Sequence, residues 1–523
     1  MKNSISLLTA LTLSTSFAGP LFAAGEAEEP KEDKNASSPQ KPNIVVFYVD
    51  DLGYGDVGCY GATGVETPNV DHLAREGLQF TDAHCSAATS TPSRYSLLTG
   101  SYAFRGGAHV LPGDAPMLIR PGQKTLPAML QDAGYTTGVV GKWHLGLGDG
   151  DINWNEAIKP GPLEIGFDYS FLLPATGDRV PCVWVENHHV VDLDPEDPIQ
   201  VSYNEKIGRE PTGMSHPGLL KVGADPQHSN TIINGVSRIG YMAGGHTARW
   251  KDERFPWTML DKAREFLDRQ KEDPFFLFFS LHDIHVPRLP NQKFVGKSEM
   301  GVRGDAIYQM DWTLGKLMDK LEEIGEKDNT LVIFTSDNGP VLGDGYDEQS
   351  EELLGAHQPA GPFSGGKYSA LEAGTRVPMI LSWPGVIDPG QSDALVGQVD
   401  LLASLAELTG QPLKGEEAPD SYNTLPAWMG HSKQGRATLV EESFTLSLRE
   451  GQWKYIEPKK EPPFIGEKKN IDGGGSTQPQ LYNLEKDIGE TNNVASQYPE
   501  RVEKMQDMLD KIREQGHSRP GIN

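Results

Sequence analysis

Ile44-Val45-Val46-Phe47-Tyr48-Val49, followed at once by Asp50-Asp51, is the stretch that decides the fold. A strand with one wet face alternates apolar and polar residues, so a run without alternation is buried on both faces. The same signature returns at Thr136 to Val140, Phe275 to Leu281, Leu331 to Thr335 and Val377 to Ser382. Helical patterns lie between them. Thr67-Pro68 reads as an N-cap followed by proline at the first helical position, with Val70, Leu73 and Ala74 on one face and Gly77 as the stop. A longer helix carries Ile307, Met310, Leu314, Leu317, Met318 and Leu321 on one side and ends at Gly325. Buried strands alternating with amphipathic helices specify an α/β domain, a parallel or mixed sheet covered by helices, over residues 42–411.

The texture changes on either side of this domain. Past residue 411, Gln452-Trp453-Lys454-Tyr455-Ile456 and Leu481-Tyr482-Asn483-Leu484 read as strands of a small antiparallel sheet. Pro499 then opens a helix with Val502, Met505, Leu509 and Ile512 inward, so residues 412–523 form a smaller α+β subdomain. Residues 150 to 250 have weak periodicity and read as long surface loops, where specificity tends to reside. At the other end, residues 1–24 read as a secretory signal: Lys2, the apolar run Ile5 to Leu13, and the cleavage site Leu21-Phe22-Ala23-Ala24. Ser14, Thr15, Ser16, Gly19 and Pro20 break that run well short of the ~20 apolar residues of a membrane span. No later stretch is apolar enough to span, so an exported, periplasmic or extracellular protein is expected. Residues 25–41, rich in Glu, Lys, Asn, Ser and Pro, read as a disordered linker.

Composition narrows the function. The 523 residues carry a net charge of −26, which repels polyanions and argues against non-specific nucleic-acid binding. Any anion must be handled in a local pocket of opposite sign. Cys59, Cys85 and Cys182 cannot all pair and lack metal-site spacing, so they read as buried small hydrophobes.

The chemistry gathers where the buried strands end. They deliver Asp50-Asp51, Gly141-Lys142-Trp143-His144, His282-Asp283-Ile284-His285 and Ser336-Asp337-Asn338-Gly339. Ligands of open α/β sheets bind outside the carboxyl ends of the strands, so these residues describe one composite site. Asp50, Asp51, Asp337 and Asn338 are a hard-oxygen set, suited to Ca²⁺ or Mg²⁺ rather than zinc. Ser90-Thr91-Pro92-Ser93-Arg94 adds a helix start, with Thr91 as N-cap, Pro92 at the first position and Ser90 just outside, where free N–H groups attract anions.

Ser90-x-Pro92-Ser93-Arg94 resembles the serine version of the type I sulfatase signature, whose first residue is converted to formylglycine (3-oxoalanine). The likeness continues in order through Val49-Asp50-Asp51-Leu52-Gly53-Tyr54-Gly55-Asp56, Gly141-Lys142-Trp143-His144, His282-Asp283-Ile284-His285-Val286-Pro287, Ser336-Asp337-Asn338-Gly339, Gly365-Gly366-Lys367 and Gly451-Gln452-Trp453-Lys454-Tyr455. The resemblance implies an alkaline-phosphatase-like α/β fold with a small C-terminal antiparallel subdomain. It implies one Ca²⁺ held by Asp50, Asp51, Asp337, Asn338 and the modified Ser90. Arg94 and Lys142 would hold the nucleophile's oxygens and the sulfate, His144 the aldehyde hydrate, and His285 and Lys367 the leaving oxygen, with His285 as general acid. Ca²⁺ with Arg94, Lys142 and Lys367 exceeds three carboxylates by two positive charges, enough to trap a sulfate monoester despite the acidic surface. Serine rather than cysteine at position 90 implies an anaerobic-type sulfatase-maturating enzyme as partner.

Two other functions are compatible with parts of the pattern. One is a phosphatase or phosphodiesterase of the same fold, which would place two zinc ions among mixed Asp and His ligands. The other is a non-catalytic protein that binds sulfated glycans with Ser90 unmodified. The expected substrate is a sulfated saccharide, a galactose or N-acetylgalactosamine sulfate, with the insert residues Asp178-Arg179, Asn187-His188-His189 and Gly244-Gly245-His246 as candidate contacts.

Overall fold

The computed structural model describes residues 41–270 and 273–522; the signal segment and nearly all of the linker lie outside the described residues. The main sheet has ten strands. In chain order these are β1 (Asn43–Val49), β2 (Leu78–Phe80), β3 (Thr136–Lys142), β4 (Tyr169–Leu173), β5 (Val185–Glu186), β6 (His189–Val190), β7 (Phe275–Ser280), β8 (Thr330–Ser336), β9 (Met379–Ser382) and β10 (Gly390–Ser392). Their spatial order is β10-β2-β9-β8-β1-β7-β3-β4-β5-β6. The centre, β8-β1-β7-β3-β4, is parallel throughout. The expected mixed, mainly parallel sheet is therefore present, with β9 running antiparallel beside β8.

All seven residues of β1 are buried, because β1 lies mid-sheet with helices over both faces. Phe47 stacks on Phe334 at 5.7 Å and meets Phe279 edge-on at 5.6 Å, locking β1 between its two parallel neighbours. Helix α1 (Pro68–Glu76) begins with proline and ends at Gly77 as expected. Thr67 does not cap it, since its hydroxyl accepts from the Gly58 N–H at 2.7 Å instead. Helix α2 (Ser90–Thr99) is buried along its whole length. It starts at Ser90, one residue before the expected cap, because the Thr91 hydroxyl donates to the His144 carbonyl at 2.8 Å and is not free to cap. Helix α3 (Phe255–Asp268) packs against α4 (Gly301–Glu323), which buries Ile307, Met310, Leu314, Leu317 and Leu321.

The C-terminal sheet is antiparallel: β11 (Thr438–Glu442), β12 (Leu446–Glu450), β13 (Trp453–Ile456) and β14 (Gln480–Asn483). Between β13 and β14 lies a short helix, α5 (Pro463–Lys469), and after β14 comes α6 (Pro499–Glu514). Met505 and Leu509 of α6 are buried against the sheet, with Val502 and Ile512 packed beside them. Residues 150 to 250 depart from the expected surface loops. They form short strands and turns that bury Val180, Trp184, Met242 and Trp250 in the main core. Cys85 and Cys182 are buried and unpaired, whereas Cys59 is only partly buried.

Candidate active site

Strand register builds the site. Val49 pairs with Ser336, Tyr48 with Ser280, and Ser280 with Gly141, so four parallel strands end level with one another. The next residues of those chains are Asp50-Asp51, Asp337-Asn338, His282 to His285 and Lys142-Trp143-His144. Two glycines permit this crowding. Gly141 has φ 110°, and a Cβ there would sit 1.9 Å from the Ser280 carbonyl oxygen. A Cβ at Gly339 would lie 1.6 Å from the Ala373 carbonyl oxygen, so only glycine lets Asn338 enter the row.

Helix α2 aims at this row with its N-terminus, placing Ser90 and Arg94 one turn apart on the same face. The Ser90 hydroxyl accepts from the Lys142 ammonium at 2.8 Å and donates to Asp50 Oδ1 at 3.3 Å. Lys142 also pairs closely with Asp50 and lies 3.8 Å from Asp337 Oδ2. Arg94 grips Asp337 through Nη2 at 2.9 Å and Nε at 3.2 Å, its guanidinium resting on the Tyr48 ring. Lys367 reaches Asp51 Oδ2 at 2.9 Å. His285 Nε2 lies 3.9 Å from the same oxygen. The structure thus brings together Asp50, Asp51, Ser90, Arg94, Lys142, His144, His285, Asp337, Asn338 and Lys367.

Asp50, Asp51, Asp337 and Asn338 are fully buried. Burial and the neighbouring Asp337 push the Asp50 carboxyl well above its usual range, even with Lys142 against it. The Asn338 side-chain oxygen is buried without a hydrogen-bond partner among the described residues, while its Nδ2 donates to Asp51 Oδ1 at 2.8 Å. A bare amide oxygen beside three buried carboxylates is the donor set of a hard cation, so these residues fit Ca²⁺. Asp50, Asp51 and His285 offer ligand atoms within 4.8 Å of one another. His285 is the single histidine in that group, whereas a two-zinc phosphatase site calls for several. A second acidic group, Asp82, His84 and Glu372, is crossed by Arg449, which bridges Asp82 and Glu372, and by Lys454, which pairs with Glu372; its members include no amide oxygen like that of Asn338.

Hydrogen bonds assign the histidine tautomers, because a carbonyl only accepts. His144 donates from Nε2 to the Leu111 carbonyl at 3.0 Å, leaving Nδ1 buried and bare. His285 donates from Nδ1 to the Val286 carbonyl at 2.6 Å, leaving Nε2 toward Asp51. Burial holds both imidazoles well below their usual pKa, helped by Lys142 at His144 and by Lys367 then Lys142 at His285.

A cleft of about 520 Å³ opens over Ser90, His144, His285 and Lys367. Asp178 and Arg179 line it, as the insert reading expected. Asn187, His188, His189 and His246 do not. His188 pairs with Glu164 at 3.0 Å, and His246 is held between Asp197 and Glu210. The sequence reading missed His228, Asp344, Tyr368, Phe464 and Lys469, which line the same cleft. Tyr368 directly follows the motif residue Lys367 and Asp344 lies five residues past Gly339, but neither position carries a periodic signal; His228, Phe464 and Lys469 are distant in sequence from every motif residue.

Residues 42–411 match the family model described as Sulfatase. An N-acetylgalactosamine-6-O-sulfatase of Bacteroides thetaiotaomicron is 49% identical over 92% of this chain and 94% of its own length. Human arylsulfatase A is 32% identical over 87% of this chain and 83% of that protein. A solved structure from Bacteroides thetaiotaomicron, described under metabolism of multiple glycosaminoglycans, superposes with a TM-score of 0.89 at 49% identity, covering 91% of this chain and 100% of the other.

Proposed function

Since the chain belongs to the sulfatase family, we propose that it hydrolyses the 6-sulfate of N-acetylgalactosamine in sulfated glycan fragments, using Ca²⁺ and a formylglycine made from Ser90. The chain is a sulfuric ester hydrolase, and its similarity to a carbohydrate sulfatase over nearly its full length supports a sulfated saccharide as substrate. In this reading it is exported on residues 1–24 after a maturating enzyme has oxidised Ser90. The observation that carries it is the placement of Ser90 at the start of α2, 2.8 Å from the Lys142 ammonium and level with four strand ends.

Asp50, Asp51, Asp337, Asn338 and residue 90 would hold the metal. When present, the calcium ion supplies positive charge, and the aldehyde hydrate supplies a nucleophile that can be released again without hydrolysing a stable ester. The chain's own groups do the rest. Arg94 and Lys142, both fully buried, present fixed positive charge where sulfate oxygens gather negative charge. His144 offers its bare Nδ1 as a hydrogen-bond acceptor for a hydroxyl at residue 90. Lys367 uses two of its N–H groups on Asp51 and Asp344 and keeps the third for the leaving oxygen. His285 can protonate that oxygen only once Nε2 carries a proton, because its other N–H is engaged by Val286.

The test is to co-express the chain with a maturating enzyme and read the Ser90 peptide by mass spectrometry, expecting the loss of two hydrogens. The matured protein is then assayed against 6-sulfated and 4-sulfated N-acetylgalactosamine, 6-sulfated galactose and 6-sulfated glucosamine. Preference for the first, abolished by Ser90→Ala and by calcium chelation, supports the proposal. Full turnover by protein that retains intact serine overturns the mechanism, and preference for another sugar overturns the substrate.

A further inference from the structure

Lys367 is held from two sides. Its ammonium meets Asp51 Oδ2 at 2.9 Å and Asp344 Oδ2 at 3.1 Å. Asp51 belongs to the cation site, but Asp344 does not. Asp344 sits in the turn Gly343-Asp344-Gly345, five residues past the Ser336-Asp337-Asn338-Gly339 motif and outside it, and is buried at the wall of the cleft. It takes three partners: Lys367, the Tyr368 hydroxyl at 3.1 Å, and Lys469 in a close ion pair. Lys469 is the last residue of α5, between two strands of the C-terminal sheet, and it too is buried. Edge-on contact of Phe464 with the Tyr368 ring, at 5.5 Å, brings the same helix against the residue that follows Lys367.

The turn that carries Asp344 is closely packed. Gly345 donates no room: a Cβ there would lie 2.2 Å from the His228 ring, and its carbonyl accepts from the Asp225 N–H at 2.9 Å. Lys367 and Lys469 outweigh the burial that opposes ionisation and hold the Asp344 carboxyl below its usual range, so it stays charged. Two lysines on one buried carboxylate are costly to assemble, and a pair of apolar side chains would serve packing better. What the ionic arrangement adds is direction. With two N–H groups committed, the third N–H of Lys367 is set in space, and it points where the paired carboxylates are not.

We infer that Asp344 is a positioning residue that aims the Lys367 ammonium into the cleft, and that Lys469 locks Asp344 from the C-terminal segment. The inference rests on the sulfatase reading above and assigns a task to a helix outside the sulfatase-matched region 42–411.

A double-mutant cycle on the matured, calcium-loaded full chain tests it. Asp344→Asn is expected to lower kcat/KM about 30-fold, mainly through kcat, and by less than about 3-fold in a Lys367→Met background, because a residue acting through Lys367 has nothing left to aim. Lys469→Met is expected to lower kcat about 5-fold and Lys469→Arg to restore most of it, each assayed well below the variant's own melting temperature, since loss of a buried ammonium also lowers stability. If Asp344→Asn misfolds, the Lys469 pair in both Lys367 backgrounds gives the same reading. Equal losses with and without Lys367, or a silent Lys469→Met, overturn the assignment. The same cycle, read as the Kd of inorganic sulfate on calcium-loaded Ser90→Ala protein, needs no turnover, so it still decides the aim of Lys367 if the substrate proposal fails.

Discussion

Arg303→Met should unfold the chain more easily and do so in a pH-dependent way. Arg303 comes from α4 and reaches Asp56, five residues past the Asp50-Asp51 pair that follows β1, through two parallel hydrogen bonds of 2.8 and 2.6 Å. His357 adds a third contact at 2.8 Å, and both Arg303 and Asp56 are completely buried. Asp56 also accepts the Gly53 N–H at 2.7 Å, which holds the turn next to Asp50 and Asp51. Burial opposes the charge on Asp56, yet Arg303 and then His357 outweigh it and lower its pKa. Removing one partner of a buried pair strands the other, at a cost of about 3–5 kcal/mol near neutral pH. At ~2.1 cal/mol/K of unfolding entropy per residue, a folded chain of this length loses roughly 3–5 °C of Tm. The sign with pH follows. In the parent, the depressed Asp56 pKa contributes stability above the unfolded value, lost only as pH falls through the folded one. In the variant His357 is left to oppose burial without the guanidinium, and the folded pKa is expected to rise above the unfolded one, so the folded state takes up a proton and recovers stability in acid. Urea midpoints and melting curves at pH 7 and pH 5 should therefore show a large gap that narrows at pH 5. A loss below about 1 kcal/mol at pH 7, or a gap that widens in acid, refutes the reasoning.

His228 should give the opposite pH signature. Asp178 and Asp225 overcome burial and push its imidazole up to about 9. Its contribution is complete below the unfolded value near 6.5, fades as pH rises, and is gone above about 9, so a urea series of parent against His228→Gln should converge between pH 6.5 and 9.5. Lys454→Met removes a fully buried ammonium from Glu372 at 3.1 Å, Glu490 at 3.4 Å and Glu441 at 3.5 Å. The loss should be about 3–5 kcal/mol, seen as early protease cleavage within 412–523. Calcium should raise the melting temperature of the parent by mass action, by the equivalent of ~2.7 kcal/mol at 100-fold Kd, and Asp337→Ala should abolish that shift.

The sheet, its covering helices and the identity of the reactive strand ends were legible in one dimension because burial on both faces leaves an unbroken apolar run, and because strands of one parallel sheet must point their ends the same way. From Asp50-Asp51, Lys142, His285 and Asp337-Asn338 alone, the composite site could be placed before any coordinates. The expected helix start at Pro92 was off by two residues from the observed start at Ser90, since Thr91 spends its hydroxyl on the His144 carbonyl, a partner 53 residues away. The loop histidines of the insert were chosen by residue type, and salt bridges to Glu164, Asp197 and Glu210 occupy two of them instead.

What the amino-acid order determined by itself, then, was periodic burial and the chemistry attached to it, both local properties of the chain. The tautomers of His144 and His285, the orphaned oxygen of Asn338, and the recruitment of Asp344, His228 and Lys469 were decided only by folding. The Asn338 amide is turned by Asp51, 287 positions away, and even nearer partners, Leu111 for His144 and Val286 for His285, are selected by loops that carry no periodicity, so the neighbouring sequence bears no mark of them.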